Sequence, residues 1–256
     1  LVLLSCAKTM SAVSKVKVPL TTSPRFQKEA AEIALQMSQF SVDELERLLR
    51  VNAKIAVENY KRYQAFHAEA TPELPALLAY TGIVFRRLNP KDFSAEDFGY
   101  AQEHLRLTSF CYGLLRPLDV IRAYRLEGDV VLPELGNQTL FSYWRSRLTD
   151  TFIEDIRSAG GILCNLASDE MKSLFDWKRV ESEVRVITPE FHVWKNGKLA
   201  TIVVYTKMSR GEMTRFILKN KIGNPEELKG FSWEGFEFDE SLSDERKLVF
   251  INGMGE

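Results

Sequence analysis

The sequence predicts an α/β (mixed α+β) fold: a single domain with a central mixed sheet, one long β-hairpin and surrounding helices. Short apolar runs such as residues 1–4 (LVLL) and 162–166 (ILCNL) have the length of buried strands. They alternate with amphipathic helical segments, a pattern typical of this class. Asn196-Gly197 separates two strand-like runs and permits positive φ at both turn positions, which predicts the hairpin. No Pro/Gly/Ser-rich linker divides the chain, so we predict one domain over residues 1–256.

Capping residues predict three helices in the first third of the chain. Ser23 followed by Pro24 is typical of an N-cap and a first helical residue. Ser41 with Glu44 three residues later forms a capping-box pattern. Asn52 is predicted to cap the third helix.

Further along, strands and helices are mixed. Residues 76–85 (ALLAYTGIVF) form an apolar run that predicts a strand, and residues 139–157 form a long amphipathic helix. The second strand of the hairpin is expected to end at Lys207. A helix is expected to begin at Ser209.

The stretch YGLLRPLDVIRAYRLE lies in a segment with a helix-hairpin-helix-like pattern over about residues 94–125. Ser94 is predicted to open one helix, Gly113 to lie in the bend and Pro117 to open a second, shorter helix. In such an element the hairpin amides contact backbone phosphate without reading bases. The alternative is an ordinary αα-corner with solvated arginines, which spacing alone favours.

The composition of the chain excludes some classes of function. With 45% hydrophobic residues the chain can bury a full core, and its formal net charge of −1 excludes a strong whole-molecule field for nucleic acid or membrane. A polyanionic partner must therefore be held by a local patch. The four apolar residues at the start are too few for a signal-peptide core or a membrane span, so no membrane partner is expected.

Cysteine usage indicates a reducing compartment. Cys6, Cys111 and Cys164 are odd in number and widely spaced, which is neither a disulfide framework nor a zinc pattern. We therefore expect a cytoplasmic protein. Cys6 beside Lys8 is a candidate nucleophile with a lowered pKa, although small filler at a strand end is the commoner role.

Polar residues follow two of the predicted strands, where ligand crevices form in α/β folds. They could hold an anion, or they could simply cap the strand and helix ends. The candidates are Ser5, Lys8 and Thr9 after the first strand, and Asn165, Ser168 and Glu170 after the second.

Two segments are locally basic. Residues 207–221 carry a charge of +4 and residues 104–125 a charge of +3, whereas solvated faces usually mix the signs. These segments add the candidate anion-binding or DNA-binding residues Arg106, Arg116, Arg122, Tyr124, Arg125, Lys207, Arg210 and Arg215.

The sequence lacks several motifs that are typical of nucleotide-binding, hydrolase and metal sites. The GK[ST] order of a P-loop and the G-x-S-x-G and G-x-G-x-x-G patterns do not occur. His67, His104 and His192 have no metal-ligand spacing, so no metal and no cofactor are predicted.

The blocks LLSCAKT, YGLLRPLDVIRAYRLE, NLASDE and SRGEMTRFI resemble, in order and spacing, those of the YaaA family of peroxide-stress proteins. The resemblance extends from residue 1 to about residue 251. It implies a cytosolic bacterial protein that limits damage driven by free iron, with a basic cleft, a helix-hairpin-helix-like element and double-stranded DNA binding. It implies no established enzymatic activity. Cys6 stands where the family often has proline, and Phe110 stands where it often has glycine, which removes a glycine from the predicted hairpin.

Two hypotheses follow. The first is a peroxide-stress protein that binds double-stranded DNA, without sequence preference, through the basic cleft. The second is an enzyme acting on a small phosphate-bearing or nucleotide-like ligand, with Glu170 as general base and Lys8 as electrostatic stabiliser. The second requires the four blocks to converge on one pocket. A monomer is the favoured state.

Overall fold

The structure, a computed structural model, describes residues 1–195 and 197–253. Twelve strands are present in the described residues: β1 Val2–Leu4, β2 Glu73–Pro75, β3 Leu105–Ser109, β4 Gly113–Leu115, β5 Val120–Arg122, β6 Val131–Leu132, β7 Gln138–Thr139, β8 Ile162–Asn165, β9 Arg185–Lys195, β10 Lys198–Ala200, β11 Phe236–Asp239 and β12 Lys247–Asn252. The main sheet has the order β11-β12-β9-β8-β1-β3-β4, and β10 pairs with β9. Its five inner strands are mutually parallel and its edges antiparallel, as predicted for a central mixed sheet.

The predicted first strand is an inner strand of this sheet. β1 lies between β8 and β3 and is parallel to both, with Val2 opposite Cys164 and Leu105. All three of its residues are buried, which explains a continuous apolar run in place of an alternating one. Since the chain passes from β1 to β3 on one side and later to β8 on the other, the carboxyl end of β1 is a topological switch point.

Ten α-helices surround the sheets of the described chain: α1 Gln27–Met37, α2 Val42–Leu49, α3 Ala53–Ala65, α4 Ala76–Ala79, α5 Ile83–Leu88, α6 Ala95–His104, α7 Leu140–Ser158, α8 Asp169–Lys172, α9 Trp177–Glu183 and α10 Val203–Asn220. Helix α7 packs on β4 and β8 and buries Trp144 and Phe152 completely. Helix α10 packs on α5, α6 and β9. None of the helices in these residues has the length and hydropathy that crossing a bilayer requires.

Most capping predictions are confirmed. Ser41 forms the full capping box with Glu44, and Asn52 accepts the amide N–H of Ile55. The first helix is an exception, because α1 begins at Gln27 after a turn, so Ser23 and Pro24 precede it.

The prediction of a helix-hairpin-helix-like element over residues 94–125 is wrong. Helix α6 begins after Ser94 as predicted, with Ser94 and Asp97 forming a capping box, but it ends at His104, and the chain continues as β3, β4 and β5. β3 and β4 form an antiparallel hairpin, and Gly113 has φ +71° with its Cα against the ring of Trp144. The run is buried over residues 105–109, so pairing within the sheet overrides its helical appearance.

One predicted strand and one predicted helix boundary also differ from the structure. Residues 76–85, expected as a strand, form α4 and the beginning of α5, with Gly82 as the N-cap of α5. The hairpin is present, but β10 ends at Ala200 and α10 already begins at Val203. Lys207 is therefore helical, and Ser209 is a fully buried mid-helix residue with no capping role. Asn196, in the predicted turn, lies outside the described residues.

Candidate functional site

A cavity of about 320 Å³ opens at the carboxyl end of β1. We call it the switch-point cavity. Its walls come from the end of β1 and the loop after it, the start of α5, the segment after β5, the loop between β8 and α8 with α8 itself, and α10. The lining residues are 4–9, 82–85, Phe110, 124–126, Leu166, Ser168, Glu170, Met171, Lys207 and Arg210. Nine of the predicted side chains lie on its walls: Ser5, Lys8, Thr9, Tyr124, Arg125, Ser168, Glu170, Lys207 and Arg210. Residues from all four sequence blocks thus meet in one place.

Ser5 and Ser168 join the ends of β1 and β8. The Ser168 amide donates to Ser5 Oγ at 2.9 Å, and the two hydroxyls are 3.2 Å apart. Ser168 is the N-cap residue of α8 but makes no side-chain cap. Asn165 is buried behind this junction, where its Oδ1 accepts the amide of Ala167, and it does not line the cavity. These residues shape the wall, so part of their role is structural.

Arg210 is a partly buried cation of the cavity wall without an ion-pair partner in the described residues. Its side chain makes no ion pair or hydrogen bond with another described residue, and its Nε is buried without an acceptor. Burial lowers the pKa of this guanidinium, and the nearby Asp169 carboxylate opposes that shift. A desolvated guanidinium facing a cavity is suited to an anionic ligand.

Gly211 explains why Arg210 can lie there. A Cβ at Gly211 would be 2.3 Å from the carbonyl oxygen of Val84 and 2.8 Å from Cβ of Arg87. Glycine therefore lets α10 approach the backbone of α5 more closely than any other residue would allow. Since α5 forms another wall of the cavity, the Arg-Gly pair sets both the shape of the site and its charge.

Lys8 and Arg125 share one carboxylate that sequence reasoning did not single out. Lys8 Nζ donates to Glu127 Oε2 at 2.7 Å, and Arg125 Nη2 reaches Glu127 Oε1 at 3.4 Å. Glu127 is buried, while Lys8 is exposed at the cavity mouth. Arg125 Nε, like that of Arg210, is buried without an acceptor. The Tyr-Arg-Leu-Glu sequence, with a carboxylate two residues after Arg125, could have indicated this pairing.

The inner walls are apolar. They include Leu4, Phe110, Leu166 and Met171, so charged groups in the cavity interact in a medium of low polarity. Phe110, the departure from the family glycine, is one of these wall residues and does not lie in a phosphate-binding hairpin.

Cys6 is not an activated nucleophile. Burial raises its pKa to about 12, which the hydrogen bond with Thr108 only partly offsets, and the Glu170 and Glu127 carboxylates raise it further. The thiol is therefore protonated at neutral pH, which supports the filler role.

Tyr124 belongs to a buried hydrogen-bonded chain. Its hydroxyl lies 2.7 Å from that of Tyr80 and 2.6 Å from Ser109 Oγ, and burial raises the pKa of both phenols well above the ordinary value. The hydroxyl of Tyr124 is therefore neutral and already engaged, so its contribution to the site is a rigid wall.

Four predicted arginines lie outside the cavity, each in an ion pair. Arg106 pairs with Asp155, Arg116 with Asp119, Arg122 with Glu73 and Arg215 with Asp92. Arg215 also donates to the carbonyls of Leu88 and Asn89, which ties α10 to the end of α5. Their charge is locally compensated, so they contribute little to an anion site.

The remaining wall residues are Thr9, Glu170 and Lys207. Thr9 Oγ1 donates to the Thr81 carbonyl, whereas Glu170 and Lys207 are exposed and make no side-chain ion pair with the described residues. Four basic side chains and one acidic side chain therefore line the cavity. Across residues 1–195 and 197–253, no group of three or more His, Cys, Asp or Glu could hold a metal ion.

Comparison with known proteins gives a family match over nearly the whole chain. A family model described as "Peroxide stress protein YaaA" matches residues 1–242. A "UPF0246 protein" of Bacteroides thetaiotaomicron is 98% identical over 256 residues, which is 100% of each chain. Similar proteins of the same name occur in Phocaeicola vulgatus, 64% identical over 96% of this chain and 97% of the relative, and in Crocosphaera subtropica, 37% identical over 98% and 99%.

Proposed function

The chain belongs to the peroxide stress protein YaaA family, and from that premise we propose that it acts in the cytosol, in the response to peroxide, by binding a small phosphate-bearing ligand in the switch-point cavity. The observation that carries the proposal is Arg210, a partly desolvated guanidinium on the cavity wall whose buried Nε has no acceptor and whose side chain makes no ion pair or hydrogen bond with another described residue. A phosphate would supply the missing acceptors.

The rest of the cavity fits such a ligand. Guanidinium groups bind phosphate oxygens in a planar, bidentate manner, and Arg125 offers a second one. The apolar inner walls suit the non-phosphate part of a nucleotide-like molecule. The volume of about 320 Å³ is at the lower end of the roughly 300–1,000 Å³ common for small-molecule sites.

A thermal-shift series tests this function. Adenosine 5′-monophosphate and inorganic pyrophosphate should each raise the Tm of the protein in a concentration-dependent way, because ligands that bind the native state stabilise it. Adenosine, which lacks the phosphate, is the matched control and should raise the Tm less than adenosine 5′-monophosphate does. If no nucleoside mono-, di- or triphosphate raises the Tm at millimolar concentration, the proposal fails.

The same cavity is a candidate active site. Lys8 and Glu170 both lie on its walls, and Glu170 has no ion-pair partner in the described chain, so no salt bridge holds its carboxylate away from a bound ligand. Under this reading Glu170→Gln abolishes turnover of a bound nucleotide but preserves its binding. Equal turnover by the variant and the wild-type protein would contradict a base role for Glu170.

Double-stranded DNA is the second candidate ligand. The exposed side chains of Lys8 and Lys207 at the cavity mouth favour it, because they can reach backbone phosphates that cannot enter the cavity. Gel shifts with a short duplex should weaken steeply as salt is raised, and Lys8→Ala with Lys207→Ala should weaken them for all sequences alike. A shift that salt leaves unchanged would contradict phosphate binding.

The proposal includes the family expectation that damage driven by free iron is limited. We propose that this effect runs through the bound ligand and not through iron storage, because the four basic side chains of the cavity repel a divalent cation. Titration with Fe(II) should show weak binding. Tight, stoichiometric binding would contradict this part of the proposal.

A further inference from the structure

A second basin, which we call the lysine groove, lies beside the switch-point cavity. It is an open groove of about 970 Å³ between the irregular segment 11–17 and residues of α4, α5 and the turn that follows. Lys15, Lys17, Arg86 and Lys91 line it, all of them exposed. None of the four side chains pairs or hydrogen-bonds with another described residue, and no acidic residue in the described ranges lines the groove.

The groove and the cavity share a wall. Phe85 lines both. On either side of it, Thr9 of the cavity is hydrogen-bonded to Thr81 of the groove, and Tyr124 of the cavity to Tyr80 of the groove. Phe85, Tyr80 and Tyr124 are buried, whereas Thr9 and Thr81 are exposed, so the threonine pair is the part of the shared wall over which an extended ligand would pass from one basin to the other.

Charge is concentrated in these two basins. Eight basic side chains, four in each, line them together with one acidic residue. The whole chain has 34 Lys and Arg against 35 Asp and Glu, with a net charge of −1. An uneven distribution of this size, with most other arginines neutralised in ion pairs, marks a surface for a polyanion.

We propose that the two basins form one site for a single strand of nucleic acid, with the sugar-phosphate backbone in the lysine groove and one nucleotide inserted into the switch-point cavity. The cavity half rests on the function proposed above. A groove lined by cations can follow a backbone, and a pocket with apolar walls and polar rim groups can receive an unstacked base. Inorganic polyphosphate has no apolar group for the cavity. An acidic peptide lacks the regular phosphate spacing.

The test compares two strands with the same number of phosphates by fluorescence anisotropy: a labelled dT12 and a labelled 12-mer in which every nucleotide is abasic. The dT12 strand should bind at least tenfold more tightly, because only it can fill the cavity. Equal affinities would overturn the insertion of a nucleotide. Competition by polyphosphate or poly-glutamate as effective as unlabelled dT12 would overturn the assignment to nucleic acid.

The groove is tested with Lys15→Ala, Lys17→Ala and Lys91→Ala in one protein. This variant should bind dT12 at least tenfold more weakly. The slope of log affinity against log salt should also become shallower by about 2, because each phosphate contact with a single strand contributes roughly 0.7 to that slope and three contacts are removed. Its Tm shift with adenosine 5′-monophosphate should be unchanged. The matched control carries Lys28→Ala, Lys54→Ala and Lys61→Ala, which removes three exposed lysines from α1 and α3. Its affinity for dT12 should fall by less than threefold.

The two proposals fail separately. If the groove variant binds dT12 like the wild-type protein while adenosine 5′-monophosphate still raises the Tm, the groove proposal is overturned and the small-ligand function stands. If dT12 binds through the groove but no nucleotide raises the Tm, the small-ligand function fails and, with it, the insertion of a nucleotide.

Discussion

The ammonium group of Lys8 donates to Oε2 of Glu127 at 2.7 Å, across 119 positions of sequence. The other oxygen of Glu127 lies 3.4 Å from Nη2 of Arg125. One buried carboxylate therefore contacts two of the four cations that line the switch-point cavity and offsets one of their two charges, and it competes with any anionic ligand for them.

The first prediction concerns this competition. Glu127→Gln keeps the shape of the side chain and removes its charge, so the cavity becomes more positive and its affinity for inorganic pyrophosphate should rise by roughly three- to tenfold at low salt. Isothermal titration calorimetry measures the affinity. Glu73→Gln, which removes the partner of Arg122 away from the cavity, is the control and should leave the affinity unchanged. A fall in affinity for Glu127→Gln would mean that the carboxylate mainly orients Lys8 and Arg125.

A second prediction separates two arginines of α10. Arg210→Ala should reduce the affinity for adenosine 5′-monophosphate about tenfold or more, since a charge-assisted hydrogen bond contributes about 1.5–3 kcal/mol. Its free energy of unfolding should change by less than about 0.5 kcal/mol, because relief of the buried charge offsets the lost packing.

Arg215→Ala, its matched control, should behave in the opposite way. Ligand affinity should be unchanged, because Arg215 does not line the cavity. The free energy of unfolding should fall by about 1–2 kcal/mol, because the carbonyls of Leu88 and Asn89 lose a donor. Chemical denaturation of both variants checks the pair, and equal destabilisation by the two would contradict the roles assigned here.

The third prediction is that Gly211→Ala destabilises the protein. The new Cβ would meet the Val84 carbonyl oxygen at 2.3 Å, and backbone cannot move away as a side-chain tip can. We expect a loss of about 2–3 kcal/mol in the free energy of unfolding. Gly99, exposed within α6 and with no atom within 4 Å of a Cβ, is the control: Gly99→Ala should stabilise by about 0.5–1 kcal/mol. Urea denaturation distinguishes the two signs, and a stable Gly211→Ala variant would contradict the close approach of α10 and α5.

The sequence predicted the elements whose signals are local. The capping box at Ser41, the cap at Asn52 and the buried strands β1 and β8 are all confirmed, because each depends on a few adjacent residues. The meeting of Lys8 and Arg210 on one cavity was expected from the resemblance of the four blocks and from the hypothesis that they converge, because strand-end position alone left anion binding and simple capping both open.

The segment over residues 94–125 could not be predicted in this way. Gly113 fits a helical bend as well as a strand turn, and the choice depends on pairing of β3 with β1, about 100 residues away. Residues 76–85 form helices for a similar reason, since the apolar run is too short for periodicity to separate strand from helix. The partner of Arg106 is tertiary, so its compensation by Asp155 was beyond the reach of charge counting. Arg116 differs, because it pairs with Asp119 only three residues away, a contact that the sequence could have indicated.

A fourth prediction concerns the reactivity of Cys6. With a pKa raised to about 12, its thiolate fraction is on the order of 10⁻⁴ at pH 8. Alkylation of Cys6 by iodoacetamide should therefore be slow at neutral pH and rise about tenfold per pH unit between pH 8 and 10, measured by peptide mapping. The same residue in urea-unfolded protein is the control and should react rapidly. Rapid labelling of the folded protein at pH 7 would instead indicate a thiol activated for reaction with peroxide.

The last prediction concerns how the raised pKa of buried thiols makes stability depend on pH. Burial raises the pKa of Cys6 and of Cys164 to about 12, above the ordinary value of 9.0, and the unfolded chain regains that ordinary value. Below pH 9 the thiols are protonated in both states and their contribution to stability is fully present. Between pH 9 and 12 the unfolded state loses protons that the folded state keeps, so the free energy of unfolding falls as pH rises, by up to about 1.4 kcal/mol per pH unit for each thiol. Urea denaturation at pH 8, 9 and 10 should show this decline, and Cys6→Ala should make it shallower. A variant whose stability declines with pH as steeply as that of the wild-type protein would show that the Cys6 thiol is not protected from ionisation by the fold.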